Sequence, residues 1–519
     1  MTFVVLLTGI GFVVVLITRL KLHPFLALLL AAILVGVISP APITSEHEIK
    51  SELQQKVLEF ELQLEEGLIS KETFIKSRQE LAWLLQDQWL KEQGKTGGQL
   101  ALSIEIVAQD FGKTVGAIGL VIVLAAIIGQ CLLESGAADK IMRKLLATLG
   151  EKRSAEALLG SGYFLAIPVF FDTVFFLLVP LARALRLRTG KNYTLYVMAI
   201  CAGAAITHSL VPPTPGPLVM TETLPGLGLG ISIVVGFLLG IIPAVAGGLI
   251  FSRLVNYKMQ IPLRNAPGSS LEELEEIMQR SEDKLPRLFW SVVPVVLPVA
   301  LIAGNTIIQH LGQATILSLP SDFLQWLALL GNKNCAMFLA AGCAMWLLMR
   351  QKELTLAQLG QRLEPSISSA GLIILITSAG GSFGSMLART GISGTLRDTV
   401  GEETFFSTGV LVILLGWGLA VIMKSAQGSG TVAMITASSI MAAILQDAVL
   451  PFHIVYVFAA IGFGSLLISW MNDSGFWVVC KLGGFTERET FSTWSLMLVC
   501  MGTIGLLEVL LLSALLPLV

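Results

Sequence analysis

Apolar runs as long as a bilayer is thick recur from end to end of this 519-residue chain. Crossing about 30 Å of hydrocarbon takes roughly 17–25 residues of helix, and Val115–Leu133, Ile231–Phe251, Thr408–Met423 and Met497–Leu516 are runs of that order. About a dozen such segments can be drawn along the chain. Lipid offers backbone N–H and C=O groups no partner, so each segment is expected to be a helix. The expected fold is an all-α polytopic membrane protein. Only 13% of the residues are charged while 54% are hydrophobic, against roughly 25% charged in soluble domains. That leaves too little polar surface for a water-soluble globule, and makes the lipid bilayer the first partner.

The same composition excludes several functions. A formal net charge of −2 provides no basic stripe for nucleic acid. Cys131, Cys201, Cys335, Cys343, Cys480 and Cys500 are scattered in mostly apolar surroundings without a C-x-x-C pair. They are read as packing residues, and no metal site or cofactor is expected. Met1 to Ile17 has no basic n-region, so it is expected to be the first span rather than a cleaved signal.

Charge and hydropathy divide the chain into six parts. Residues 1–43 form a transmembrane hairpin whose turn, with Arg19, Lys21 and His23, belongs in the cytoplasm by the bias of Lys and Arg. Residues 44–100 are a polar insertion. Within it Ile49, Leu53, Phe60 and Leu64 recur at helical spacing and Gly67 breaks the run, so Glu46–Lys95 is expected to be an extramembrane helical hairpin. Its charged surface is compatible with a solvated insertion or with a module for homo-oligomerisation or a partner. Residues 101–252 are a first transporter repeat and 253–287 a cytoplasmic linker with an exposed helix from Ser270. Residues 288–365 are connecting transmembrane helices, and 366–519 a second repeat.

The repeats show as three ordered matches. Leu158-Leu-Gly-Ser-Gly162 returns as Leu414-Leu-Gly-Trp-Gly418, Tyr196-Val-Met-Ala199 as Tyr456-Val-Phe-Ala459, and Ser135-Gly136 as Thr390-Gly391. Weak internal symmetry of this kind is characteristic of transporters. Basic clusters stand both before the run Ala155–Ala182 (Lys140, Arg143, Lys144, Lys152, Arg153) and after it (Arg183, Arg186, Arg188, Lys191). A re-entrant hairpin turning near Pro168 to Asp172 keeps both clusters in the cytoplasm, where a simple crossing does not. Its counterpart is expected to turn at Lys424–Gly430 and to enter from the opposite face, which makes the repeats inverted.

Two spans contain sequences that cannot remain regular helix. In Thr207–Pro217 the prolines delete backbone donors and clash with the preceding turn. In the matching place of the second half stands Ser469-Trp-Met-Asn-Asp-Ser-Gly475. Paired breaks in corresponding positions mark a mid-membrane site, and the free N–H groups of half-helices favour an anionic group such as a carboxylate. Thr207, His208, Thr214, Gly216, Gly428, Ser429, Thr431 and Asn472 are therefore the expected substrate contacts, although Ser and Thr at such breaks also serve simply to satisfy freed backbone. Ionisable groups at membrane depth are costly, which singles out Lys424 to meet a substrate carboxylate and Asp473 beside it. Asp172, Asp473 and His208, whose imidazole titrates nearest neutral pH, are the expected coupling-ion groups. The structural alternative is that these charges only pair with one another. Gly129, Gly380, Gly381 and Gly384 are read as helix-packing positions, and Glu134 as interfacial.

The motifs Leu133-Glu-Ser-Gly-Ala-Ala138, Gly150-Glu-Lys-Arg153, Ile167-Pro-Val-Phe-Phe-Asp172, Thr207 to Pro217, Gln427-Gly-Ser-Gly-Thr-Val-Ala433 and Asn472-Asp-Ser-Gly-Phe-Trp477 together resemble the gluconate permease family, the gluconate:proton symporters. The likeness runs from about Gly112 to the C-terminus. Three positions depart from the family pattern. Thr214 stands where relatives have His, Ser474 where they usually have Pro, and Asp172 where many have Glu. The resemblance implies inward symport of gluconate or a related hydroxylated monocarboxylate, a sugar acid or glycerate-like acid, with protons across the cell inner membrane. From residues alone, sodium coupling to another small organic anion is the alternative. An intramembrane hydrolase built on Ser209 or Ser429 with His208 has no G-x-S-x-G or H-E-x-x-H motif behind it, and a passive channel has no repeated filter. No enzymatic activity is expected.

Overall fold

The computed structural model describes residues 2–39, 98–264, 285–313, 320–390, 409–446 and 448–518. The expected hairpin at Glu46–Lys95, the linker helix from Ser270 and the 391–403 loop lie outside these residues.

All regular structure among the described residues is helical. The N-terminal pair is α1 (Thr2–Thr18) and α2 (Pro24–Ile38). The first half then runs through α3 (Gly98–Glu134), α4 (Ala137–Leu149), α5 (Ser154–Leu165), α6 (Phe171–Thr189), α7 (Tyr193–Leu210), α8 (Pro215–Thr223) and the span α9 (Leu229–Lys258). Next come α10 (Leu288–Gln313), α11 (Ser321–Leu330) and α12 (Lys333–Lys352). The second half comprises α13 (Leu356–Arg389), α14 (Val410–Gln427), α15 (Gly430–Ile444), α16 (Val455–Gly464), α17 (Ser474–Leu482) and the span α18 (Glu487–Leu515).

Among the described residues seven helices are long and apolar enough to cross a membrane, and α11 with α12, bent by 63°, makes an eighth by length and composition. Four shorter apolar helices, Val4–Ile17, Pro24–Ile38, Gly430–Ile444 and Val455–Gly464, accompany them. The shortness of α15 has a consequence. Its 15 residues extend only about 22 Å at 1.5 Å per residue, less than the roughly 30 Å of hydrocarbon, so its N-terminus falls at depth if its other end is at the surface.

From α3 and from α13 the same series unfolds: a long helix, a helical hairpin, a broken helix and a final span. Each helix of the second half begins about 260 residues after its counterpart, the spacing of a duplicated transporter. Packing obeys the same relation. Helix α5 lies on α7 as α14 lies on α16, and across the halves α8 packs on α15 as α17 packs on α6. The helices α3 and α13, which occupy equivalent places, pack on each other along their length. Such reciprocity is what a pseudo-two-fold relation requires.

The α5–α7 contact is close enough to need glycine on both sides. A Cβ at Gly162 would stand 2.7 Å from the Ile200 carbonyl oxygen, and one at Gly203 would run into the Leu159 carbonyl oxygen and the Tyr163 amide nitrogen. These are backbone atoms, so no rotamer change relieves the clash. We expect Gly203→Val to lower stability by about 1–3 kcal/mol or more, as overpacking of a filled contact does. The measurement is the thermal unfolding of detergent-purified protein, with Gly160→Val, at a position open within 4 Å, as the reference that should leave it nearly unchanged.

Candidate functional site at the helix breaks

Four helices begin at one cavity. The sequence fixes where each starts. Helix α5 ends at Leu165, and Pro168 prevents the chain from winding on until α6 starts at Phe171 without a side-chain cap. In the second hairpin, Gly428 closes α14 in the left-handed conformation (φ 83°), which only glycine adopts without strain. Ser429 then caps α15, accepting from the Val432 N–H at 3.3 Å.

The breaks are made differently. Pro212 and Pro213 end α7, and the Thr214 hydroxyl reaches back to the carbonyls of His208 (3.0 Å) and Val211 (2.7 Å). Pro215 then opens α8, as proline does at a first helical position. In the second half α16 stops at Gly464, and residues 465–473 are irregular until Asp473 caps α17, accepting from the Gly475 N–H at 3.0 Å.

The four starts meet around a cavity of ≈ 590 Å³. Its wall takes Phe170 to Thr173 from α6, Pro215 from α8, Ser429 to Thr431 from α15, and Asp473 to Gly475 from α17. His208, Ser209, Ser369, Lys424, Ser465 and Trp494 also line it. First-turn N–H groups and the positive ends of the helix dipoles thus converge on one space.

Lys424 and Asp473 form an ion pair at 2.8 Å, with side chains only 5% and 8% exposed. The Lys424 ammonium also donates to the Gly428 carbonyl at 2.5 Å. Asp473 accepts from the Ser469 hydroxyl too, and Ser469 in turn accepts from the Trp494 indole N–H at 2.8 Å. The carboxylate is therefore satisfied on both oxygens, as a buried charge must be. Asp172 differs. It lines the same cavity but makes no ion pair or side-chain hydrogen bond among the described residues.

Of the residues expected from sequence, Asp172, His208, Lys424, Ser429, Thr431 and Asp473 come together on the cavity wall. Thr207, Thr214, Gly216, Gly428 and Asn472 do not. The Thr207 hydroxyl is buried without a partner among the described residues, and Thr214 is engaged with backbone carbonyls. Gly216 lies against the side chain of Met434. Gly428 shapes the tip and supplies the carbonyl for Lys424. Asn472 donates to the Ser425 carbonyl at 2.9 Å and so ties the second break to the second tip. Sequence reading missed Ser369, Ser465 and Trp494. Ser465 follows the last helical residue of α16 and was within reach of the break argument, whereas Ser369 and Trp494 lie inside continuous helices and give no local signal. Gln427 was also passed over, and both its amide atoms are buried and unpartnered. Among the described residues no group of His, Cys, Asp and Glu could hold a metal ion.

Paired helix breaks, hairpin tips and, at their meeting point, a cavity lined by charged and hydroxyl side chains define a membrane carrier. Residues 95–515 match the sequence model of the GntP family permeases; the chain belongs to this family and is a multi-pass membrane permease rather than an enzyme. It is 28% identical over 512 residues to the gluconate permease of Pseudomonas aeruginosa, covering 98% of this chain and 96% of that protein. It is also 28% identical over 411 residues to the Gnt-II system L-idonate transporter of Escherichia coli, covering 79% and 89%. In fold it resembles the YdaH transporter of Alcanivorax borkumensis, with a TM-score of 0.55 at 14% identity over 82% of this chain and 91% of that one.

Removing one member of a buried ion pair leaves the other uncompensated and costs about 3–5 kcal/mol. We expect Lys424→Met and Asp473→Leu each to depress the melting temperature strongly, and the double variant to recover a large part of the loss. Additive losses in that cycle would show that the two groups are not coupled.

Proposed function

We propose that this permease carries gluconate or a related hydroxylated monocarboxylate into the cell across the cytoplasmic membrane, together with protons. The observation that carries this reading is the convergence of four helix N-termini and the Lys424 ammonium on one cavity. Its volume lies within the roughly 300–1,000 Å³ of ordinary small-ligand pockets. Around it stand the hydroxyls of Ser209, Ser369, Ser429, Thr431, Ser465 and Ser474, partners for a polyhydroxylated chain. The two relatives above are named for gluconate and L-idonate, both sugar acids.

Charge placement assigns the roles. Acids already occupy the starts of α6 and α17, Asp172 and Asp473 respectively. The start of α15, with Ser429, Gly430 and Thr431, carries none and lies beside Lys424. The substrate carboxylate therefore sits at the α15 tip. A second anion in the same low-dielectric space repels it unless neutralised. Asp473 is neutralised by Lys424, which leaves Asp172 as the group that takes the coupling proton. A protonated Asp172 and a bound organic anion then favour each other, and that mutual preference is symport. The six-part organisation, with inverted repeats around this site and both hairpins re-entrant, belongs to the same proposal, because alternating access needs the two halves to present one site to opposite faces in turn.

Proteoliposomes containing the purified protein should accumulate labelled gluconate when an inward proton gradient is imposed and lose that accumulation when it is collapsed. Asp172→Asn should abolish the response to the gradient while retaining gluconate exchange at equal concentrations on both sides. Accumulation driven by a sodium gradient and indifferent to pH would reject proton coupling. Failure to carry any sugar acid, with shorter hydroxy acids transported instead, would move the substrate class.

A further inference from the structure

A second cavity of ≈ 170 Å³ adjoins the first, lined by Ala125, Ala126, Gly129 and Gln130 of α3, by Pro168 to Phe170 with Thr173, and by Pro365, Ser366 and Ser369 of α13. Phe170, Thr173 and Ser369 line both cavities, so the two meet at these side chains. Along α13 the residues Arg362, Ser366, Ser369 and Ile373 fall on one face at spacings of four, three and four. They form a stripe of about 16 Å from the exposed start of the helix to the main cavity. At its outer end Arg362 pairs with Glu134 at 2.6 Å, and Glu134 also accepts from the Gln130 amide at 2.6 Å. The Arg362 side chain is 45% exposed, so this end reaches solvent.

The corresponding place in the other half is shut. There α15 packs along α13, with Ser439 against Gly384 and its hydroxyl donating to the Gly380 carbonyl at 3.1 Å. The ion pair at that end, Arg389 with Asp110 at 3.2 Å, has side chains only 16% and 9% exposed. Gly129 holds the place in α3 that Gly384 holds in α13, yet α6 makes at most marginal contact with α3, and the second cavity occupies the gap. Two halves alike in sequence order thus differ in how closely the hairpin packs on its long helix.

We propose that this second cavity is the vestibule through which an organic anion passes between the main cavity and the Arg362 face, with Arg362, released from Glu134, as the residue that receives its carboxylate at that face. The pair Glu134–Arg362 is the gate of that face, and Ser366 and Ser369 are the hydroxyl steps between it and the main cavity. The proposal rests on the carrier reading given above but not on the identity of the sugar acid. A guanidinium suits the role because it offers a carboxylate two parallel donors, and it can exchange one carboxylate partner, Glu134, for another.

The test combines labelling with transport. Ser366→Cys, which lines the vestibule only, and Ser439→Cys, in the closed contact, are exposed in proteoliposomes to a membrane-impermeant charged thiol reagent, and each site is read by peptide mass spectrometry. The expected result is modification of residue 366 from one face only, at least tenfold faster than of residue 439, with loss of gluconate uptake in proportion to modification. For transport started from the face at which residue 366 is modified, Arg362→Gln should raise the KM about tenfold with kcat within twofold, and Arg362→Lys should restore most of it. An unmodified Cys at 366 in protein that transports gluconate, or full uptake after its modification, overturns the vestibule and leaves the carrier reading standing. One-sided modification at 366 in protein that carries no gluconate supports the vestibule and rejects the gluconate assignment.

Discussion

A charge buried inside a membrane protein must be paired, and the pairing of Lys424 with Asp473 holds this site together. Lys424 comes from the end of a hairpin helix and Asp473 from the start of a half-helix, so their 2.8 Å contact joins the second tip to the second break. Asn472 repeats the connection through the Ser425 carbonyl. Trp494 adds the last span through Ser469, whose hydroxyl donates to Asp473. The second tip, the second break and the last span are thereby fixed relative to one another. The dipoles and first-turn N–H groups aimed at the cavity are useful to an anion only because this lattice holds their positions before the anion arrives.

The two breaks reach the same result by different chemistry. In the first half, prolines remove donors and leave carbonyls, and the Thr214 hydroxyl takes up two of those carbonyls. In the second half the chain is irregular over a longer stretch, and side chains of Ser465, Ser469 and Asp473 tie it to itself and to α18. Thr214 replaces a histidine of the family pattern, and its place in the structure shows what the change entails. A residue bonded to backbone carbonyls 2% exposed from the protein interior shapes the break instead of presenting a polar tip to the cavity. His208, six residues earlier and on the cavity wall, is left as the imidazole of this half.

Helix ends were the most legible feature in the sequence, because proline, glycine and capping residues act locally. The turns near Pro168, at Gly428, at Pro212 and at Asp473 all stand where the residues require them. Side-chain direction was less legible. In a soluble helix the apolar stripe tells inside from outside, but α7 and α15 are apolar on every face because both lipid and protein interior are apolar. Asp172, Lys424 and Asp473 were found by cost of burial, which does not depend on facing. Thr207, Gly216 and Asn472 were placed by proximity to a break and turn away from the cavity. Ser369 and Trp494 enter it from helices distant in sequence, and only the packing of α13 and α18 on the hairpins brings them there. The glycines Gly380 and Gly384 do serve as close contacts, against Ile435 and Ser439, whereas Gly129 lines the second cavity and has ordinary van der Waals room beside Val169 of the first tip.

That last difference carries the most weight for how a duplicated carrier works. If the halves were in the same conformation, α6 would lie on α3 at Gly129 as α15 lies on α13 at Gly384, and the site would be sealed from both faces. In the carrier reading proposed above, a hairpin closed on its long helix in one half and packed less closely in the other opens the site to one face, and exchange of the two arrangements would open it to the other. A differential preference for substrate and proton of a few kcal/mol would bias two such states if they lie close in energy. Small residues at Gly129 and Gly384 fit that proposal, since either long helix would then have to receive a hairpin backbone at close range.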